Sequence, residues 1–230
     1  MSQSRAEARK SISRDRTARF VGILIAAVVV AIIVIVFGLA VAKGHSVTAA
    51  ETRILADIAA SRTATLVDVS LALDWLFSPL IALIIAVIAA AIIYALTRRW
   101  SSTIHFMLLV LGTWLSSEVV KIIVHRPRPT AALADTLVPN PDPDSYPSGH
   151  ICFAIGLGFA IAMVIAKSRV RTIVWVLAIL LTLVTAASRV YLGIHYPTDA
   201  IASIVFAAAA FVAIEAIWRR YSGRVFRLAP

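Results

Sequence analysis

The segment from Phe20 to Ala42 reads FVGILIAAVVVAIIVIVFGLAVA and carries no charged side chain over 23 residues. A helix of this length extends roughly 34 Å at about 1.5 Å per residue, which is enough to cross a hydrocarbon core of about 30 Å. The segment is too long for the apolar core of a signal peptide, and no small-residue cleavage site follows it. It therefore predicts a transmembrane helix that the mature protein retains.

Similar apolar blocks recur along the chain, which is 60% hydrophobic and only 15% charged. Soluble domains average about 45–50% apolar and about 25% charged residues. Because a segment in lipid must satisfy its own backbone hydrogen bonds, each block predicts a helix. The expected fold is an all-α, polytopic bundle of six transmembrane helices in one domain, residues 20–218, between basic tails at 1–19 and 219–230. The six predicted spans are residues 20–42, 75–97, 103–124, 149–166, 172–187 and 198–218.

Basic residues are concentrated on one side of this predicted topology. Six spans place both termini on the same side, and the tails and short loops there hold fifteen of the 22 Lys and Arg residues. Cytoplasmic segments of membrane proteins collect basic residues, so we expect the N- and C-termini in the cytoplasm. The same asymmetry accounts for the net charge of +10, and nucleic acid is not an expected partner.

Two longer segments lie on the opposite, extracytoplasmic side. Residues 43–74 include an amphipathic helix at Thr48 to Ser61, which is predicted either to lie on the membrane surface or to be a solvated connector. Residues 125–148 contain six of the nine prolines, and proline restricts its own backbone and that of the preceding residue. This second segment is therefore expected to be stiff and extended, which suits the rim of a binding site.

Polar residues that are costly in a membrane are functional candidates, and here they fall at the outer ends of spans three to six. The order of the spans brings them to one depth on one side of the membrane. A single site assembled from four spans is therefore predicted. Its candidate residues are Lys121, Arg128, His150, Arg189, His195 and Asp199.

Three of these residues are cations, which suit a ligand with several anionic oxygens. Arginine binds phosphate as a planar fork, and lysine adds a point charge. Ser148 and Gly149 lie where the fourth span begins, and free backbone N–H groups at a helix N-terminus attract phosphate. Gly149 has no side chain, so a ligand can approach the backbone closely. The predicted phosphate-binding residues are Lys121, Arg128, Ser148, Gly149 and Arg189.

Two histidines and one carboxylate supply the reactive groups. Asp199 follows His195 by four residues, across Pro197, in the first turn of the sixth span. A carboxylate that accepts the proton of one imidazole nitrogen leaves the other nitrogen free as a nucleophile. His150 is then available as the general acid for the leaving oxygen. The predicted reaction is phosphoryl transfer to His195, followed by hydrolysis of the phosphohistidine.

These residues form three motifs that resemble the signature of the type-2 phosphatidic acid phosphatase superfamily. All eleven fixed positions are present in the family's order, each motif lies at an outer span end, and the resemblance extends to the six-span layout. It implies His195 as nucleophile, Asp199 as the residue that orients it, His150 as acid, the five phosphate ligands given above, and no metal. The motifs are Lys121-x6-Arg128-Pro129, Pro147-Ser148-Gly149-His150 and Ser188-Arg189-x5-His195-x3-Asp199.

Several other polar residues are expected to be structural. Glu118 shares a helical face with Lys121, and pairing between them is its expected role. Arg126 also precedes a proline, and its place is left open between a rim charge and a position behind the phosphate ligands. A catalytic metal or other cofactor is not expected, because the three cations would oppose a divalent ion. The residues expected to be structural are His45, His105 and His125, with Cys152 as a small apolar residue within a helix.

The predicted function is a metal-independent phosphatase of the bacterial cell membrane that acts on a lipid phosphate or pyrophosphate at the extracytoplasmic face. Undecaprenyl diphosphate is the favoured substrate, because the small size, six spans and outward-facing site resemble bacterial members of the family that recycle the carrier lipid. Phosphatidate and phosphatidylglycerophosphate are alternatives, since the motif residues bind only the phosphate. A non-catalytic transporter or binder of phosphorylated lipids is the alternative of another class, but it would not need His150, His195 and Asp199 together.

Cysteine labelling tests this topology. In a Cys152→Ser background, a cysteine introduced at Ala132 is expected to react with an impermeant maleimide added to intact cells, whereas one introduced at Ser168 is not. The physical reason is that these positions lie in loops on opposite sides of the membrane. The reverse labelling pattern would place the site in the cytoplasm.

Overall fold

The computed structural model describes residues 2–130, 135–138, 142–165 and 168–225. The labelling position Ala132, the basic residue Lys167 and residues 226–230 of the predicted C-terminal tail lie outside these ranges. All regular structure in the described residues is helical, which confirms the all-α class. The described ranges form eight helices: α1 (Ser2–Lys43), α2 (His45–Ala60), α3 (Ala64–Leu76), α4 (Pro79–Thr97), α5 (Trp100–Val124), α6 (Gly149–Ile165), α7 (Ser168–Tyr191) and α8 (Pro197–Val225).

Five of these helices contain a stretch long and apolar enough to cross a membrane: Arg14–Lys43 in α1, Pro79–Thr97 in α4, Trp100–Val124 in α5, Val170–Tyr191 in α7 and Pro197–Gly223 in α8. Apolar side chains along them, such as Ile33, Leu80 and Ile122, are more than half exposed, as lipid-facing residues are. The chain is therefore an integral membrane protein. Helix α6 is apolar but shorter over Gly149–Val164, so the count of six spans and the orientation of the termini stay predictions.

The helix that corresponds to the predicted second span, residues 75–97, begins at Pro79. The sequence block from Trp75 is uncharged, but α3 ends at Leu76 and α4 begins at Pro79. Proline suits the first turn of a helix because it has no N–H to leave unpaired there. The Phe77–Ser78 junction therefore separates two helices, and Trp75 closes α3 with its ring exposed.

The segment predicted as the first outer loop folds into two helices rather than one. The expected amphipathic helix is present as α2, and one side of it packs against the rest of the protein. Its Glu51 and Leu55 are buried, and Leu55 packs against Tyr196 just before α8. Helix α3 follows without having been predicted. At the N-terminus, the backbone of residues 2–19, predicted as a basic tail, is helical and continuous with the rest of α1.

Helix α6 lies at the centre of the fold. Ten of its sixteen residues from Gly149 to Val164 are buried and none is exposed, and the helix packs against α5, α7 and α8. Small residues let its neighbours approach closely, as is common where membrane helices pack. A Cβ added at Gly156 would lie 3.0 Å from the Val110 carbonyl oxygen of α5 and 3.2 Å from the Val110 Cα.

Replacement of Gly156 by alanine should therefore separate α5 from α6. We expect Gly156→Ala to lower the thermal midpoint in detergent by several degrees, consistent with an overpacking cost of about 1–3 kcal/mol. Gly22→Ala is the matched control, because nothing lies within 4 Å of a Cβ at Gly22. Equal midpoints for both variants would contradict the close α5–α6 contact.

Candidate active site

The third predicted span, α5, ends in a way that directs two cations to one place. His125 follows α5 with φ 46°, in the left-handed region, and its N–H donates to the Lys121 carbonyl oxygen. The chain then reverses, and the Arg128 N–H donates to the Pro143 carbonyl oxygen. Lys121 in the last turn of α5 and Arg128 just beyond it are thereby brought together from seven residues apart.

A carboxylate already lies between these two cations. The Lys121 Nζ donates to Asp142 Oδ2 at 2.6 Å, and Arg128 NH2 lies 3.5 Å from the same oxygen. The Arg128 Nε also donates to the Asp142 carbonyl oxygen at 2.7 Å. Burial alone would raise the pKa of Asp142, but the hydrogen bond from Lys121 and the two positive charges hold that pKa below its ordinary value. Asp142 thus places anionic oxygen where the sequence predicts phosphate.

The spacing between Arg189 and His195 is set by the C-terminus of α7. Gly193 has φ 76°, which favours glycine because a Cβ would be strained there. The Gly193 N–H donates to the Val190 carbonyl oxygen, and the Ile194 N–H to that of Arg189. This is the Schellman pattern of helix termination. This turn places His195 at the same end of the helix bundle as Arg189.

The N-terminus of α8 fixes Asp199. Pro197 is its first helical residue, and the Tyr196 N–H donates to Asp199 Oδ2 at 2.9 Å. A carboxylate at the third helical position that accepts the N–H of the capping residue is half of a capping box. The other oxygen, Oδ1, accepts a 2.5 Å hydrogen bond from Arg126 NH1. Both carboxylate oxygens are thus held, and Asp199 is fully buried.

The N-terminus of α6 carries the second motif, Pro147-Ser148-Gly149-His150. The Ser148 N–H, which the sequence suggested for phosphate, instead donates to Ser203 Oγ at 2.7 Å. Gly149 keeps space open, since a Cβ there would lie 3.3 Å from Trp114 Nε1 and 3.5 Å from Glu118 Oε1. His150 Nε2 lies 3.2 Å from the Asp74 carbonyl oxygen. Because a carbonyl only accepts, this contact places a proton on Nε2.

A cavity of about 560 Å³ connects these groups. Five of the eight predicted site residues line it: Lys121, Arg128, Gly149, His150 and His195. The other three, Ser148, Arg189 and Asp199, are buried behind them. The remaining wall is partly apolar and comes from the α3–α4 junction, α5 and the segment before α6, through Phe77, Pro79, Trp114, Leu115 and Val138. The cavity therefore joins a cationic end to an apolar side.

His195 presents one ring nitrogen to the cations and the other to Asp199. Arg128 NH1 lies 3.0 Å from His195 Nε2, and a guanidinium can only donate. Nε2 is therefore the acceptor with a lone pair, and the ring proton is on Nδ1. Nδ1 lies 3.6 Å from Asp199 Oδ2, which is an electrostatic contact rather than a hydrogen bond. A ligand bound by Arg128 would meet the Nε2 lone pair.

Buried polar atoms without a partner cluster at this site. An unpaired buried donor costs about 1–3 kcal/mol, so each one needs a reason. Among the described residues, seven buried side-chain atoms lack a hydrogen-bond partner, and four of the seven belong to predicted site residues. These four are Ser148 Oγ, Arg189 Nε, Arg189 NH2 and His195 Nδ1. The two Arg189 nitrogens and the Ser148 hydroxyl can all donate to an anion with several oxygens.

Asp74 is a residue that the sequence reasoning missed. It pairs with Arg189 NH1 through Oδ1, and that oxygen also lies 3.6 Å from His150 Nε2. It thus links two motif residues from helix α3. The rule that selects ionisable residues at outer span ends would have found it, because it immediately precedes the block predicted as span two.

Glu118, His105 and His125, which were expected to be structural, each contact another charged or titratable side chain. Lys121 Nζ lies 3.3 Å from Glu118 Oε1, as the helical spacing predicted. His105 Nε2 contacts Glu215 Oε2 at 2.5 Å and so joins α5 to α8. His125 Nδ1 contacts Asp144 Oδ2 at 2.9 Å. Cys152 is buried in a helix, as expected.

Comparison with known proteins identifies the class. The family model of the PAP2 superfamily matches residues 102–223, which is more than half of the chain. The chain belongs to this superfamily, which confirms the resemblance carried by the three motifs. The matched region holds all eight predicted site residues.

Named relatives lie within the same class. The chain is 34% identical over 123 residues to an undecaprenyl-diphosphatase of Sulfolobus acidocaldarius, covering 51% of this chain and 55% of that protein. It is 36% identical over 90 residues to undecaprenyl-diphosphatase BcrC of Bacillus subtilis, covering 39% of this chain and 44% of that protein. The chain thus spans about half the length of these relatives.

A solved structure shares the fold. It is the crystal structure of the first transmembrane PAP2 type phosphatidylglycerolphosphate phosphatase from Bacillus subtilis, with a TM-score of 0.72 and 22% identity. The match covers 85% of this chain and 96% of that chain. The arrangement of helices around the cavity is therefore that of a transmembrane PAP2 protein.

The Asp142 contacts generate a prediction about anion binding. Since Asp142 occupies Lys121 and Arg128, Asp142→Asn should bind inorganic phosphate about tenfold more tightly, a difference of about 1.4 kcal/mol. Titration calorimetry of the detergent-purified protein measures this. Asp135→Asn is the control, because Asp135 pairs with Arg62 and does not line the cavity. Unchanged or weaker phosphate binding by Asp142→Asn would contradict the competition.

Proposed function

We propose that this protein hydrolyses a phosphate group from a lipid phosphate or lipid pyrophosphate by way of a phosphohistidine at His195. The observation that carries the proposal is the pairing of unsatisfied donors on Arg189 and Ser148 with a histidine whose lone pair faces the cationic end of the cavity. Donors without partners suit the several oxygens of a phosphate. The unprotonated Nε2 of His195 beside them suits attack on phosphorus.

In the first step, the terminal phosphate displaces Asp142 from Lys121 and Arg128 and accepts hydrogen bonds from Arg189 and Ser148. The Nε2 lone pair of His195 attacks phosphorus while the bond from phosphorus to the leaving oxygen breaks. His150, in its doubly protonated imidazolium form, gives one proton to that oxygen and becomes neutral. The products are phosphohistidine and a lipid that has lost one phosphate.

In the second step, water attacks the phosphorus of the phosphohistidine. His150, now without its proton, accepts one from the water, and the bond between phosphorus and Nε2 breaks. Inorganic phosphate leaves and both histidines return to their starting states. Asp199 stabilises the positive charge that develops on His195 during each transfer.

A polyprenyl diphosphate such as undecaprenyl diphosphate is the proposed substrate. Two relatives carry the name undecaprenyl-diphosphatase, and the apolar wall formed by Phe77, Trp114 and Leu115 would accept the first units of a hydrocarbon chain beside the phosphates. Phosphatidylglycerophosphate is the second candidate, because the structural neighbour is a phosphatidylglycerolphosphate phosphatase. Phosphatidate is a third, since the same groups would hold its phosphate.

We further propose that the reaction needs no metal and takes place at the extracytoplasmic face of a bacterial cell membrane. Lys121, Arg128 and Arg189 would neutralise the phosphate charge in place of a divalent ion. Within the described residues, no group of three or more His, Cys, Asp and Glu side chains is placed to hold a metal. The charge asymmetry of the sequence supports the orientation.

Phosphate release from a panel of lipid phosphates tests the function and assigns the two histidines. His195→Ala should lose at least about 10³-fold in turnover, because covalent catalysis is removed. An activated aryl phosphate, whose leaving group needs no proton, should partly rescue His150→Ala but not His195→Ala. The assays are run with and without excess chelator, and activity should survive chelation.

Three results would contradict parts of this scheme. His195→Ala within tenfold of wild type would rule out His195 as nucleophile, and binding without phosphate release would favour a transporter or binder. Equal rescue of both histidine variants, or of neither, would contradict the assignment of His150 as acid and His195 as nucleophile. Activity lost to chelator and restored by one divalent ion would overturn metal independence.

The acid limb of the pH profile should report His195. Burial, followed by the positive charges of Arg128 and Arg189, holds the pKa of His195 well below its ordinary value of 6.5. The neutral ring is the nucleophile, so activity is present above the lowered pKa and is lost as the pH falls through it. We expect the acid limb of kcat/KM below pH 6.5. Two substrates with different phosphate pKa values separate enzyme from substrate titration, and a limb at or above 6.5 with both would contradict the lowered pKa.

A further inference from the structure

Arg126 lies in a network of buried groups that reaches Asp199, and the catalytic scheme gives Arg126 itself no role. Its side chain is 1% exposed. NH1 donates to Asp199 Oδ1 at 2.5 Å and to Thr198 Oγ1 at 2.7 Å, and NH2 donates to Glu51 Oε2 at 2.6 Å. Its guanidinium carbon also lies 4.1 Å from the centre of the Tyr196 ring. The guanidinium therefore joins two carboxylates that are 148 residues apart in the sequence.

Glu51 closes the network from helix α2. Its Oε1 accepts the Thr198 N–H and the Thr198 hydroxyl, each at 2.8 Å. Glu51 thus caps the N-terminus of α8 from outside that helix, next to the capping-box contact made by Asp199. A carboxylate at this position is favourable both for the free N–H groups and for the helix dipole.

The network ends at the predicted nucleophile. Arg126 holds one oxygen of Asp199, the Tyr196 N–H holds the other, and that second oxygen is the one 3.6 Å from His195 Nδ1. The position and the effective charge of the Asp199 carboxylate are therefore both set by Arg126. Arg126 also forms an ion pair with Glu51, so its positive charge is divided between the two carboxylates.

We propose that Arg126 and Glu51 are positioning residues that act on the nucleophile through Asp199: Arg126 fixes the carboxylate, and Glu51 limits how much of its charge Arg126 cancels. This inference rests on the proposed function, because it assumes His195 as nucleophile. Neither residue lines the cavity that holds Lys121, Arg128 and His150. We therefore expect Arg126 and Glu51 to affect the rate of the chemical step rather than the binding of phosphate.

The charges make this role testable by sign. Two carboxylates and one guanidinium carry a net charge of −1 beside His195. Glu51→Gln leaves a neutral Arg126–Asp199 pair, so protonated His195 loses stabilisation. Arg126→Gln leaves two carboxylates, so protonated His195 gains stabilisation. The double variant has a net charge of −1 again.

Other charges also face His195, and none of them is changed by these substitutions. Lys121 lies on α5, Arg128 on the segment after it, His150 on α6 and Arg189 on α7, and all four disfavour the protonated ring. Asp199 on α8 favours it. The direction of the change therefore depends on the Glu51–Arg126–Asp199 network alone.

The experiment is the pH dependence of kcat/KM for the full-length protein in detergent, with single-turnover phosphoenzyme formation. The acid limb should move down in Glu51→Gln and up in Arg126→Gln, by about half a pH unit or more in each. It should return to the wild-type position in the double variant, and Arg126→Lys should stay near wild type. Turnover should fall about tenfold in each single variant while KM stays within about twofold.

Two controls keep the outcome clear. Arg62→Gln removes another arginine of the outer segment, one that pairs with Asp135 away from the cavity, and should leave the acid limb unmoved. His195→Ala is measured in parallel. If His195→Ala keeps its activity, the proposed function fails.

The inference alone fails if His195→Ala is inactive but the acid limb is unmoved in both single variants, or moves in the same direction in both. If Arg126→Gln does not fold, Glu51→Gln and the double variant decide. A limb that does not move down in the first, or does not return in the second, overturns the proposal.

Discussion

The pairing of buried charge is the constraint on which the rest of this structure depends. An ionised side chain taken out of water is costly unless partners offset the charge, and both lipid and packed helices exclude water. Arg126 is held between Glu51 and Asp199, and Arg189 is held against Asp74. Each pair joins segments far apart in the sequence. Satisfying these charges therefore also fastens α2 and α3 over the ends of the longer helices.

In the candidate site, by contrast, part of the buried positive charge is not fully paired. Arg126 makes three hydrogen bonds to side chains, whereas two of the three nitrogens of Arg189 have no partner among the described residues. Lys121 and Arg128 share one carboxylate, that of Asp142. An anion with several oxygens would complete the positive end of the cavity. Binding energy of this kind is available to the transition state, where charge on the phosphoryl oxygens must be stabilised.

The proximity of His195 to Asp199 could be predicted because their spacing is local. The two residues are four positions apart, about one helical turn, and the sequence around Gly193 and Pro197 encodes both the end of α7 and the start of α8. The partners of these residues could not be predicted in the same way. Glu51 is one of the charged residues of the predicted amphipathic helix and Asp74 ends the same outer segment, and no local pattern shows which distant cation each will meet.

The sequence by itself determined that the chain is helical and membrane-embedded, and that its polar residues gather where the spans end. The lengths of the apolar segments and the positions of the charged residues can be counted along the sequence. In a bilayer they directly determine how deep each residue lies. Only the tertiary structure decided that helix α4 begins at Pro79, that α2 packs through its buried Glu51 and Leu55, and that Arg126 contacts Asp199. These outcomes depend on which side chains meet in three dimensions. A buried charge can pair with any opposite charge at the same depth in the membrane, and that partner need not be near it in the sequence.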